Sequence, residues 1–328
     1  NIESFNAAAM EAVNAMPAPT WHRLRVNNEK IALPGGLEPS SDIEFEIDNI
    51  ELGESGAFDS ALSTFQQKLD ARNEGTVDTR AVVVAAAGNE NPENLDIPAL
   101  SSYQRKAVLE EIENSVSKAF ETGMGTEAFA YLESVSDGRL VLVAPEKAVG
   151  SATVRISAKD GMANAACVDV VAAPHSNVSL TISFEGSSRG SGFAGCGLRV
   201  FAGVGAEVEV SSIQALDGCW TVFDDSGYVL DDDAHVAVTH RVLGADSAST
   251  GLSADLRGNQ SRIDVLTRYL GAEKQKRDFN YSIKQRGCLT ESNLDAYGVL
   301  AGESKKTLRG TIDFVHGCKG STGNERET

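Results

Sequence analysis

A mainly β fold with a mixed α/β region ahead of it is what this sequence predicts, and three observations carry the prediction. From about Gly138 onward apolar residues recur at every second position in short runs, the period of a strand with one buried face. Gly, Asp, Asn and Ser separate these runs at close intervals, as turn residues do. No segment after Gly138 offers a long helix-period stripe, so the helical crossovers of an α/β parallel sheet are absent. Periodicity leaves two architectures open, a sandwich and a parallel β-helix of stacked coils, and no strict repeat selects between them.

In chain order, Phe5, Ala8, Ala9, Val13 and Met16 predict a short amphipathic helix over residues 3–14, ended by Pro17. An irregular stretch follows, with a turn at Pro34-Gly35-Gly36 and an alternating strand through Ile43, Phe45 and Ile47. Leu62, Phe65 and Leu69 predict a helix over 60–72, and Ala81 to Val84 a buried strand. The longest helix is expected over 101–122, where Val108, Ile112, Val116 and Ala119 form one stripe. The strands expected beyond it include 152–156, 168–170, 178–184, 198–200, 208–210, 220–222, 236–238 and 263–265. The last pair is the clearest, Phe279, Tyr281 and Ile283 and then Leu308, Gly310, Ile312 and Phe314, with Arg286-Gly287, Gly298 and Gly302 breaking the chain between them. The boundary near Gly138 divides the chain into a mixed domain, 1–137, and a β domain, 138–328.

The chain has 328 residues, enough for one large or two ordinary domains with an ample core. A net charge of −18, with no cluster of Lys and Arg, argues against nucleic acid as a partner. No apolar run approaches the roughly 20 residues that span a bilayer, and no basic-then-apolar signal opens the chain, so no membrane is expected. The five cysteines are odd in number, widely spaced and without a Cys-x-x-Cys pair, which argues against a disulfide framework and for a reducing, cytoplasmic compartment.

Gly186-Ser187-Ser188-Arg189-Gly190 matches a nucleophile elbow, but the residues after it are too Gly-rich for the helix that motif requires, and they are expected to form a flexible turn. No phosphate-binding loop is present. The acidic cluster Asp224, Asp225, Asp231, Asp232 and Asp233 reads as a solvated turn around Gly227 rather than a hard-metal site. His235 and His240 fall on opposite faces of one strand and cannot share a metal. Cys167, Cys196 and Cys219 read as buried gap-fillers. Cys288 follows Gly287 at a turn, and His316 lies two residues before Cys318, on one face if that stretch is extended. Cys318, His316 and Cys288 are therefore the candidates for sulfur or iron ligation.

The spacing Asp278, Gly287, Thr290, Ser292, Ser304, Arg309-Gly310 and Ile312 resembles the core of the SufB/SufD family of iron–sulfur cluster assembly proteins. Met16-Pro17-Ala18-Pro19-Thr20-Trp21 is similar to a Pro-x-x-Trp segment of many members, and 140–148 resembles the start of their core domain. Gln285 stands where SufB-like members commonly have His, which leans toward SufD or a stand-alone relative. The resemblance implies a right-handed parallel β-helix core and a non-enzymatic scaffold that pairs with a paralogue or itself and works with a SufC-type ABC ATPase. It also implies a transient iron–sulfur cluster, with none held permanently, and a C-terminal segment with helices that would lie beyond Thr328. The reading from another class is a β-helix carbohydrate lyase or hydrolase with paired carboxylates. Two tryptophans and no signal are little support for it.

Overall fold

The computed structural model describes residues 21–26, 29–34, 38–39, 43–51, 81–85, 120–144, 147–186 and 189–328. The helices expected over 3–14 and 60–72, and the 101–119 part of the third, lie outside them. Five strands come from the first part of the chain: β1 (Trp21–Val26), β2 (Glu29–Pro34), β3 (Glu38–Pro39), β4 (Ile43–Glu51) and β5 (Ala81–Ala85). They are followed by a helix, α1 (Thr126–Val135), and by β6 (Ser136–Ala144) and β7 (Val149–Ala158). The stretch expected to be irregular thus holds the antiparallel pair β1–β2.

From there the chain alternates between two sheets. One receives β8 (Met162–Ala172), β10 (Gly190–Ala202), β12 (Gly218–Leu230), β14 (Ser247–Leu256), β16 (Lys276–Gln285) and β18 (Lys305–Phe314). The other receives β9 (Asn177–Gly186), β11 (Glu207–Gln214), β13 (His235–Val242), β15 (Arg262–Gly271), β17 (Glu291–Leu300) and β19 (Thr322–Glu327). Neighbours within each sheet are parallel and are every second strand in sequence. That is a parallel β-solenoid of about six turns, and it excludes the sandwich. Residues such as Asp169 and Arg199, 30 apart in sequence, stand side by side on successive coils. The strands β4 and β5 extend the same two sheets, β4 antiparallel to β7 and β5 parallel to β6.

Alternation builds the core. Along β13 the pattern is strictly alternate, and Val236, Val238 and Val242 point into the lumen with Val208 and Val210 of the preceding coil. Phe279, Tyr281 and Ile283 continue this column, and Leu308 and Ile312 pack against it, as their spacing predicts. Lateral hydrogen bonding between coils makes strands of segments that lack an alternating apolar signal. Ser247–Leu256 and Glu291–Leu300 both form full strands, although the latter was expected only as broken, turning chain. The Gly-rich stretch 190–197, expected as a flexible turn, is strand as well and runs on into the strand expected at 198–200, which makes Gly190–Ala202 a strand of 13 residues.

The outer face of the first sheet is covered. Residues 120–125 cross it as a strap and lead into α1, whose Ala128, Tyr131, Leu132 and Val135 fall at helical spacing and bury against Ala163, Ala165, Cys167, Phe193 and Phe223. Tyr131 meets Phe193 edge-on at 5.1 Å, and Phe193 meets Phe223 at 5.2 Å. Glycines let the helix approach: a Cβ at Gly197 would stand 2.9 Å from the Phe129 ring. Buried under this helix, Arg199 donates two hydrogen bonds to Asp169, at 2.7 and 2.6 Å, with the Phe129 ring 5.5 Å away. Residues 120–122, expected at the end of a long helix, are not helical, and α1 begins only after Gly125, whose φ is 90°.

Candidate functional site

One corner of the solenoid, between the first sheet and the second, collects the thiols that the sequence singles out. On each coil one residue there takes a left-handed conformation: His175, Gly205, Asp233, Gln260, Leu289 and Gly320. Each but the last donates its N–H to a carbonyl on the next coil: His175 to Val204, Gly205 to Asp232, Asp233 to Asn259, Gln260 to Cys288 and Leu289 to Lys319, all at 2.8 or 2.9 Å. The ladder satisfies the turn backbone, which outweighs the cost of positive φ at non-glycine residues. Cys288 is a rung of it. Its N–H donates to Asn259 Oδ1 at 2.9 Å, its carbonyl accepts from Gln260, and its Sγ lies 3.5 Å from the Gly317 carbonyl.

Behind the rung sits a buried polar network. Gln285 accepts from the Thr290 hydroxyl at 2.7 Å and donates to Ser292 Oγ at 2.6 Å and to the Thr322 carbonyl at 2.9 Å. Ser321 joins Thr290 Oγ1 at 2.8 Å and so ties the last two coils together. Residues that carry the family resemblance therefore act as the frame of this corner. Gly287 belongs to it as well, since a Cβ there would run into the Gly258 backbone. Asp278 and Arg309 instead pair on the outer face of the first sheet, where Arg309 also reaches Asn280.

Cys318 occupies the same corner one coil later, half-buried like Cys288. The corner there is wider, with residues 315–321 between β18 and β19 where 286–290 join β16 to β17. His316 and Cys318 lie in this turn and not on an extended strand, so the same-face argument from their spacing does not hold, and His316 is exposed. Among the described residues no group of three or more His, Cys, Asp or Glu side chains could hold a metal ion. The corner holds two thiols, and the strand ends that lead into it carry an ion-pair network. Arg257 and Arg286 both bind the Asp255 carboxylate, at 2.9 and 2.7 Å.

The other candidates are dispersed. Asp224 faces the lumen and accepts from the Ser212 hydroxyl at 2.6 Å, while Asp225 faces outward under the strap. The pair lies inside β12 and is buried, which overturns the solvated turn expected around Gly227. Only Asp231 to Asp233 form a turn. His235 is half-exposed against Asp264 at 2.8 Å, and His240 is buried beside Tyr281, on opposite faces as expected. Burial of Asp264 acts to raise its pKa, but hydrogen bonds from His235, Arg262 and Asn293 outweigh it and hold the carboxyl well below the usual range. Burial pushes the Cys196 thiol up, with Asp224 adding to it, and lowers the His240 pKa. Cys167 and Cys196 are buried as expected, but Cys219 is exposed at the edge of β12.

No described helix is long and apolar enough to cross a membrane. No curated protein and no solved structure matches the chain. A family model does, that of the SufBD core domain of SUF-system FeS cluster assembly, over residues 154–328, more than half of the sequence. The match covers the solenoid from β7 to β19, including the Gln285–Thr290–Ser292 frame and both corner thiols, and by it this chain belongs to the SufBD core-domain family of the SUF iron–sulfur cluster assembly system.

Proposed function

We propose that this protein is a non-enzymatic scaffold subunit of a SUF-type assembly complex, paired with a paralogue or a second copy and acting with a SufC-type ATPase. Family membership supports the assembly role, and the observation that carries the reading is the continuous parallel solenoid that the SufBD core-domain model matches over residues 154–328. The pairing and the ATPase are what the resemblance to SufB/SufD proteins implies.

Nucleotide chemistry belongs to the ATPase in this reading, and the iron–sulfur cluster is cargo. The test is co-purification of the full-length protein with the SufC-type ATPase and paralogue of its source, followed by anaerobic iron and sulfide reconstitution read by visible absorption. A stable complex that builds a cluster supports the reading. Failure to bind either partner overturns it.

A further inference from the structure

The outer faces of the two sheets differ, and from that difference we propose that the second sheet is a docking surface for an amphipathic helix with one acidic flank, supplied by a partner protein. The strap and α1 cover the first sheet, whereas among the described residues no element packs over the second. Outward side chains near the downstream ends of its strands form two columns along the solenoid. In one, Leu243 follows Val242, the partner of Tyr269, and so stands beside Leu270, which is itself opposite Val299. In the other, two residues earlier on each strand, Arg241 is opposite Arg268 and Arg268 opposite Tyr297. Leu243 and Leu270 are 44% and 42% exposed, although β13 and β15 each have a strand paired on both sides. Adjacent leucines held in water on a rigid sheet are what a specific protein contact covers.

The arginines set the partner's charge. In a chain of net charge −18 two cations stand side by side on neighbouring strands, about 4.8 Å apart along the solenoid. Arg241 donates to the Ser211 hydroxyl at 2.7 Å, and neither arginine pairs with a carboxylate among the described residues. Stacked like charges repel, so acidic groups from outside complete the column. The turns beyond the leucines carry both signs, as at Glu273 and Lys274, and set no preference. The spacing sets the partner's shape. Apolar residues three or four apart on a helix rise by about 5.3 Å per step, and the coils by about 4.8 Å, so a helix laid along the solenoid axis stays over Leu243, Leu270 and Val299 to within about 1 Å. The arginine column lies about 6.6 Å to one side, under one flank of a helix whose diameter with side chains is about 10 Å. A strand laid on the same face finds no backbone partner, because the N–H and C=O groups there already pair within the sheet. The surface needs none of the partners proposed above.

The test uses the full chain and a fluorescein-labelled, Ala-based helical peptide of about 20 residues, with Leu at successive a and d positions and Glu along one flank. The same peptide with Lys in place of Glu is the comparison, and anisotropy reads binding. Wild-type protein is expected to bind the Glu peptide about tenfold more tightly than the Lys peptide, and less tightly as salt rises. Arg241→Glu with Arg268→Glu should reverse the preference, and Leu243→Ser with Leu270→Ser should weaken the Glu peptide about tenfold. An unchanged denaturation midpoint shows that a variant is folded. If a double variant unfolds early, Arg268→Glu or Leu270→Ser alone, at exposed positions, carries the same readout. No binding of the Glu peptide, equal binding of the two peptides, or a preference that survives the arginine reversal overturns the proposal. So does a wild-type dimer in light scattering that Leu243→Ser with Leu270→Ser splits into monomers, since a second copy would then occupy the stripe.

Discussion

The strap over the first sheet should loosen as pH rises, and the group responsible is Asp225. Its side chain is fully buried, Oδ1 accepts the Met124 N–H at 2.7 Å, and Oδ2 has no hydrogen-bond partner although the Thr122 hydroxyl is near. Burial, reinforced by Asp224, pushes this carboxyl up to about 8 against the lowering effect of the Met124 bond. In a released strap it returns to about 3.9. Below pH ~4 both states are protonated and the group is neutral toward docking. Between pH ~4 and ~8 the released state ionises while the docked one keeps its proton, so docking weakens by up to about 1.4 kcal/mol per pH unit and levels off above pH ~8. Between pH 6 and 8 the loss is on the order of 2 kcal/mol, or roughly thirtyfold in the opening equilibrium. Hydrogen exchange at the Gly123 and Met124 amides, corrected for intrinsic rates, reads this directly. Asp225→Asn keeps the acceptor for Met124 and removes the titration, so it should flatten the trend and protect the strap better at pH 8. An equal pH trend in wild type and Asp225→Asn would refute the reasoning.

Three further outcomes are expected. Gly251→Ala would place a Cβ 2.5 Å from Met124 N and 2.6 Å from Asp225 Oδ1, so the strap must lift, at a cost of about 1–3 kcal/mol, seen as a lower denaturation midpoint and faster exchange in the strap and α1 than in β16. Arg199→Ala takes the cation away from the buried Asp169 carboxylate and should cost about 3–5 kcal/mol in chemical denaturation. His240 is held neutral by burial while an unfolded chain protonates near pH 6.5, so stability should fall below that pH. Replacing it with Phe should remove that part of the acid slope in denaturation midpoints compared at pH 7 and 5.

Inward residues on the strands were legible wherever a strand alternates, as in Phe279-Tyr281-Ile283, because period-2 burial is written in each segment locally. The segments that escaped notice, SASTGLSADL in β14 and ESNLDAYGVL in β17, have mostly small or polar residues and are strands because a coil above and below pairs with their backbones. The same holds for Asp224 and Asp225, which look like turn residues in isolation and are carried into the wall by the register of β12 with β10 and β14. The ten residues of α1 went unread, since their apolar stripe is short and Gly125 supplies no side-chain cap. Thr290 and Ser292 were visible as spacing and Gln285 as a departure from the family pattern, but their joint role as the frame behind a thiol was not.

Alternation and turn chemistry are local properties, and from them the sequence by itself determined that this chain forms short strands with one buried face and turns at close intervals. The resemblance at 278–312 named the family. Only the tertiary structure decided which strands are neighbours, because Phe193 lies opposite Thr221 but Thr221 opposite Ser247, and coils of unequal length leave no repeat to read. It also decided that Cys288 and Cys318 share a corner while Cys196 lies in the lumen and Cys219 in solvent. Those placements depend on coil length and register between segments far apart in sequence, which no local pattern encodes.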